Sequence, residues 1–407
     1  MKNLINMLPR QVRIVLVLIL SPIVVMRTIQ AVLKLHKNDA FAGLDEQALE
    51  SQILIPVLTW DAHETAKIRD AALAFMAEDR WEELAEMYRD AEQSLEKTPQ
   101  GSRHYQIVLN VALHEVRGAI AGQTGAHPAD MLERLEGVHL AHPENYALAL
   151  FAARGHLDLG WAYRGSGCAD DVSEAAWKRM MEHYERATEI LDGFDAEELR
   201  SPGIAAAIHV IARQAPDNTM LKRVYEVWHA LDPANVDIYQ QHAFHLLPRW
   251  GGTYEEVELA ARRAAATTND MMGMGAYALF YGEALSEEPG LMEVADPALF
   301  REAVNDYLAS KPDHVVVNTQ LKRATEMMTS AYMDAELEAL AQPWRMMARD
   351  LCRDIIQKHL HAVVHEIWNG DASDALYAVA AVFREEIEAG NTLEFSDEGM
   401  VIQPPAA

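Results

Sequence analysis

The chain has 407 residues, with 62 Asp and Glu against 35 Lys and Arg, a formal net charge of −27, 50% hydrophobic residues and 7% aromatics. The apolar fraction is too high for a disordered chain, and the acidic excess argues against a nucleic-acid partner. Cys168 and Cys352 stand 184 residues apart, so neither a disulfide framework nor a cysteine-built metal site is expected.

The charge is uneven. Residues 1–37 hold six basic residues and no acidic one, which leaves a net −33 on the remainder. Inside this basic segment Ile14 to Met26 is uncharged and apolar all round, bracketed by Arg13 and Arg27. An interfacial amphipathic helix needs a polar face that this run lacks. Three readings stay open. In the preferred one, residues 1–37 form a short membrane anchor, with Arg13 and Arg27 reaching opposite headgroup layers and Pro22 as a kink. A helix packed into the domain suits thirteen residues, short of the about 20 that span a bilayer. A signal peptide ranks last, because no small-x-small exit follows Met26. The protein is thus expected to be membrane-associated or cytoplasmic, and equal basic flanks leave the side of the membrane open.

From residue 38 to 390 the chain reads as one continuous domain of helices. Asp61 to Lys97 is rich in helix formers and has no Gly or Pro. Trp177, Met180, Met181, Tyr184, Ala187 and Leu191 recur at helical spacing, as do Leu376, Val379, Ala380, Phe383 and Ile387. No alternating β-branched run stands out; His314 to Val317 sits where a helix can begin, so a parallel sheet is not expected. Pro143, Pro216, Pro233 and Pro312 each read as the first turn of a helix, and Pro143 and Pro233 share a following x-Asn. Their spacings of 73, 17 and 79 residues rule out a clean 34-residue period. The fold class is all-α: an irregular helical-repeat, tetratricopeptide-like array of antiparallel helix pairs. The tail, residues 391–407, reads as loose.

Two turns interrupt this background. Trp161-Ala-Tyr-Arg164-Gly165-Ser-Gly167 halts a helix. In Leu247-Pro248-Arg249-Trp250-Gly251-Gly252-Thr253-x-x-Glu256, Pro248 ends one helix, Gly251 and Gly252 permit positive φ, and Thr253 with Glu256 forms a capping box that opens the next. With the later Trp177, these residues resemble a bacterial family of uncharacterised proteins, domain-of-unknown-function family 4034, over about residues 60 to 285. The resemblance implies tetratricopeptide-like helices and a bacterial source, and brings no established activity. An Arg and a Trp beside glycines suit the grip of a carboxylate or peptide terminus. The same residues also suit a purely structural turn, with Arg at a helix C-terminus and Gly as terminator.

Among the seventeen histidines, His139/His142, His242/His245 and His361/His365 share helical spacings, with Glu366 beside the last pair. Zinc needs a third ligand and a supporting shell, and no His-Glu-x-x-His occurs; His361, His365 and Glu366 are the least poor candidate set, and no metal is expected. Walker, Rossmann and Gly-x-Ser-x-Gly patterns are absent from the sequence, and no cofactor or catalytic residue is assigned. The expected function is a non-enzymatic module that binds a protein or peptide, with Trp161, Arg164, His242, His245, Arg249 and Trp250 as candidate binding residues. The alternative is an enzyme, for example a hydrolase, with its site around His242, His245, Arg249 and Arg164. The oligomeric state stays open.

Overall fold

A computed structural model of the chain describes residues 46–60, 62–99, 101–165, 171–215, 218–311, 313–368 and 370–405. The N-terminal segment 1–37, with its anchor reading, lies outside the described residues, as do Gly167, Cys168, Pro216 and Pro312. The fold is all-α, an irregular helical-repeat array with nineteen α-helices among the described residues. No described helix is long and apolar enough to cross a membrane.

The chain forms two compact units rather than the single domain expected. One holds the described residues within 61–270 and 279–284; the other holds those within 46–60, 271–278 and 285–405. In the first, helices Pro128–Ala141 and Tyr146–Arg164 pack together, Tyr146–Arg164 packs on Glu174–Leu191, and Pro202–Ala212 packs on Thr219–Leu231. The Tyr146–Arg164 helix is buried on nearly every side over its first eight residues, which are apolar but for the Tyr146 hydroxyl. A helix without a polar face belongs at the centre of a stack.

Two buried carboxylates tie this unit together. Glu92, 1% exposed, accepts hydrogen bonds from Tyr88 Oη at 2.9 Å, Tyr146 Oη at 3.0 Å, Ser201 Oγ at 2.7 Å and the Gly203 amide at 2.8 Å. Burial raises its pKa, against those four donors. Asp232, fully buried, pairs with the Arg103 guanidinium and accepts from Tyr105 Oη at 3.2 Å. A buried charge persists only when it is hydrogen-bonded in this way.

The prolines work differently from the sequence reading. Pro143 and Pro233 lie in the tight turns between helices, and the following Asn is the cap: Asn145 accepts from Ala147 and Leu148 amides, and Asn235 from the Asp237 amide. Pro here rigidifies the turn, and Asn supplies the acceptor that the first helical turn lacks.

In the second unit His314–Met328 packs on Ala335–Lys358. His314 to Val317 is helical, as expected. The tail is not loose. Residues Thr392–Ser396 (β4) and Gly399–Gln403 (β5) pair antiparallel, and β4 also pairs in parallel with Ile53–Leu54 (β1). A second parallel pair joins Val57–Leu58 (β2) to Val363–Val364 (β3). The small parallel pairings were not expected. In β4, Leu393 and Phe395 alternate with Glu394 and Ser396, which gives that strand one buried face.

Candidate functional site

The Leu-Pro-Arg-Trp-Gly-Gly turn is built as its residues require. Helix Val236–His245 stops, Leu247 turns extended ahead of Pro248, and Pro248–Trp250 make one tight 3-10 turn. Gly251 closes it at φ 90°, a left-handed conformation that suits glycine. Gly252 serves a different end from the one expected: its φ is not in that region, but a Cβ there would run into the Leu246 carbonyl. The capping box follows. The Thr253 amide donates to Glu256 Oε2 at 3.1 Å and the Glu256 amide to Thr253 Oγ1 at 3.2 Å, opening helix Tyr254–Met272. The other turn ends helix Tyr146–Arg164 at Gly165, φ 72°, whose amide donates to the Trp161 carbonyl.

The two turns meet. Trp161 and Trp250 lie with ring centroids 5.7 Å apart. The Arg164 guanidinium sits 5.2 Å from the Trp161 ring centre, 5.1 Å from that of Trp250 and 5.7 Å from that of Trp177. A second guanidinium, Arg213, lies 4.5 Å and 4.7 Å from the Trp161 and Trp250 centres. Two cations therefore share the faces of two indoles, the strongest cation–π partners among the side chains. Arg213 donates to Tyr184 Oη at 3.4 Å, and among the described residues it has no carboxylate partner. Its Nε and the Trp250 Nε1 are buried without an acceptor. Burial pushes the Arg213 pKa down, the Tyr184 hydroxyl opposes this, and the nearby Arg164 charge adds to it.

Behind this layer stand three buried histidines. His209 is 0% exposed, His242 1% and His245 5%. The His209 Nε2 and His242 Nδ1 atoms share a hydrogen bond at 3.0 Å, His209 stacks on His245 at 4.9 Å, and Tyr225 stacks on His242 at 4.0 Å. Burial holds all three below the usual imidazole range, His209 at about 3, with Arg213 contributing at His209 and His245. They are neutral at physiological pH.

Of the six residues singled out in the sequence, Trp161, Arg164 and Trp250 converge. His242 and His245 pack into the core beside them. Arg249 is exposed and lies over the Phe244 ring at 4.9 Å. His361 and His365 do not share a helix face: the first precedes β3, where its Nδ1 bonds the Ser396 carbonyl at 2.8 Å, and the second begins the 3-10 turn His365–Trp368. Glu366 instead accepts from the Trp60 amide at 2.8 Å. No group of three or more His, Cys, Asp or Glu among the described residues is arranged to hold a metal ion. Arg213, His209 and Tyr184 were missed. One signal existed: His209 interrupts the otherwise apolar Pro202–Ala212 helix, and Arg213 follows four residues later on the same face.

Comparison with protein-family models, with curated proteins and with solved structures returns no match.

Proposed function

We propose that this protein is a helical-repeat module that binds a protein or peptide, and that its recognition site is the cluster of Trp161, Trp177, Trp250, Arg164 and Arg213. The observation that carries the reading is the meeting of the two glycine turns. Each supplies one indole, and two guanidiniums lie on the same pair of rings. Tryptophan and arginine dominate the binding energy of protein interfaces, because each brings a large rigid surface together with donors. Stacked helix pairs provide the extended surface around such a centre.

The reading includes the tetratricopeptide-like and bacterial family assignment, supported by the packing of its two signature turns on each other. It also includes a membrane contact through residues 1–37, supported by their basic charge and apolar run. The binding reading is favoured over the enzyme alternative by the histidines. An imidazole held at about 3 is a weak general base at neutral pH, and His209 has no exposed surface. Arg249, assigned to that alternative site, points to Phe244.

A peptide array probed with the full-length chain and with its Trp250→Ala variant tests the proposal. Wild-type protein retained by a defined set of sequences and lost in the variant supports it. Retention by no sequence, or equal retention of both proteins, contradicts it.

A further inference from the structure

Deepening the peptide-binding reading on which it rests, we infer that the Arg213 side of the cluster takes a single carboxylate carried on an apolar or aromatic body. This chemistry is shared by the free C-terminus of a peptide and by a free organic acid. The argument starts from what the site lacks. In a chain with 62 acidic residues, Arg213 has no carboxylate partner among the described residues, and its guanidinium donates instead to the Tyr184 hydroxyl at 3.4 Å. Its Nε has no acceptor, and neither has the indole Nε1 of Trp250, whose ring it covers at 4.7 Å. The next group inward, His245, also has a buried Nδ1 without a partner.

Arginine and indole nitrogens only donate. A complementary group therefore brings acceptors and no donors. The planar guanidinium fork matches a carboxylate with two parallel bonds. The surroundings set the rest of the ligand. Trp161, Trp250 and Phe244 present ring faces and edges, with Phe244 and Trp250 centroids 5.6 Å apart, so the body that follows the carboxylate is apolar or aromatic. The chain's net charge of −27 repels polyanions at long range, which selects one negative charge over several.

The test is calorimetric titration of the full-length protein with five probes. These are N-acetylphenylalanine, its amide, a hexapeptide ending in phenylalanine as free acid, the same peptide as amide, and inorganic phosphate. The inference expects each acid to bind at least ten-fold tighter than its amide, with phosphate binding far more weakly than either acid. Arg213→Gln removes the acid preference, and Trp250→Phe, which keeps a ring and loses the N–H, weakens acid binding several-fold. Where Arg213→Gln does not fold, Arg213→Lys serves: it keeps the charge, loses the fork and reduces the preference. Peptide acid and peptide amide binding equally overturns this inference and leaves the peptide-binding reading intact. Free acid binding while neither peptide binds supports this inference and overturns the peptide-binding reading. Phosphate binding as tightly as the acids, or no binding by either acid, overturns the carboxylate assignment.

Discussion

The indoles of Trp161 and Trp250 meet with ring centroids 5.7 Å apart and planes tilted by 51°, although they stand 89 positions apart in the chain. Each belongs to a turn that ends at glycines, so the contact fixes two helix ends to each other. Replacing Trp250 by Ala removes that contact and the faces on which Arg164 and Arg213 rest. Full burial of such a ring makes the loss cost about 3 to 5 kcal/mol, and the partial exposure of Trp250 lowers the expectation to about 2. Urea unfolding measures it; a change under about 0.5 kcal/mol contradicts the structural part of the account.

Acidification should destabilise the fold through His209, His242 and His245. Each has a folded pKa below its unfolded value, so the unfolded state binds protons first. The stability they contribute is present above about 6.5 and is lost as pH falls toward the folded values, about 3 for His209. Each proton taken up costs about 1.4 kcal/mol per pH unit within that window. Unfolding free energy measured from pH 7 to 4 should fall, and His209→Leu should reduce the slope. An unchanged slope in a folded His209→Leu protein contradicts the assignment.

Local rules carried much of this fold in the sequence, and long-range pairings did not. The capping box of Thr253 and Glu256 was legible because all its atoms lie within one turn. The helical stripe from Met180 to Leu191 was legible for the same reason. By contrast, β4 finds its parallel partner at Ile53, more than 300 residues earlier, and no local pattern announces that register. Pro143 and Pro233 were misplaced because proline suits both a first helical turn and the turn before it; the Asn two residues on decides. At the site, Trp161, Arg164 and Trp250 were visible through their glycine turns. Arg213 was not, since its role depends on rings contributed by other helices.

Two glycines should respond in opposite directions to alanine. A Cβ on Gly203 would overlap the Tyr88 hydroxyl and lie 2.9 Å from Glu92 Oε1, at the centre of the buried carboxylate network. Overpacking there costs about 1 to 3 kcal/mol, before any loss of Glu92's hydrogen bonds. Gly137 is exposed inside helix Pro128–Ala141, and its Cβ would meet nothing within 4 Å. Gly137→Ala should add about 0.5 to 1 kcal/mol. Thermal melts of the two variants should move to opposite sides of the wild type; a Gly203→Ala melt at or above wild type contradicts the first reading, and a Gly137→Ala melt below it contradicts the second.

Asp232→Ala leaves the Arg103 guanidinium buried without its carboxylate. Breaking one side of such a pair costs about 3 to 5 kcal/mol, whereas replacing both partners by apolar residues of similar size costs much less. Denaturation of Asp232→Ala and of an Arg103→Met, Asp232→Leu double variant checks this. A double variant less stable than the single one contradicts it.

The central claim is that both turns serve one recognition site. Its most direct test is a double-mutant cycle on peptide affinity, with Trp161→Ala, Trp250→Ala and the pair measured by calorimetry on proteins shown to be folded by circular dichroism. Residues that share one ligand couple by about 0.5 to 3 kcal/mol. The account predicts that each single variant weakens binding at least ten-fold and that the pair loses clearly less than the two losses combined. Strictly additive losses, or affinity unchanged in either single variant, would contradict it.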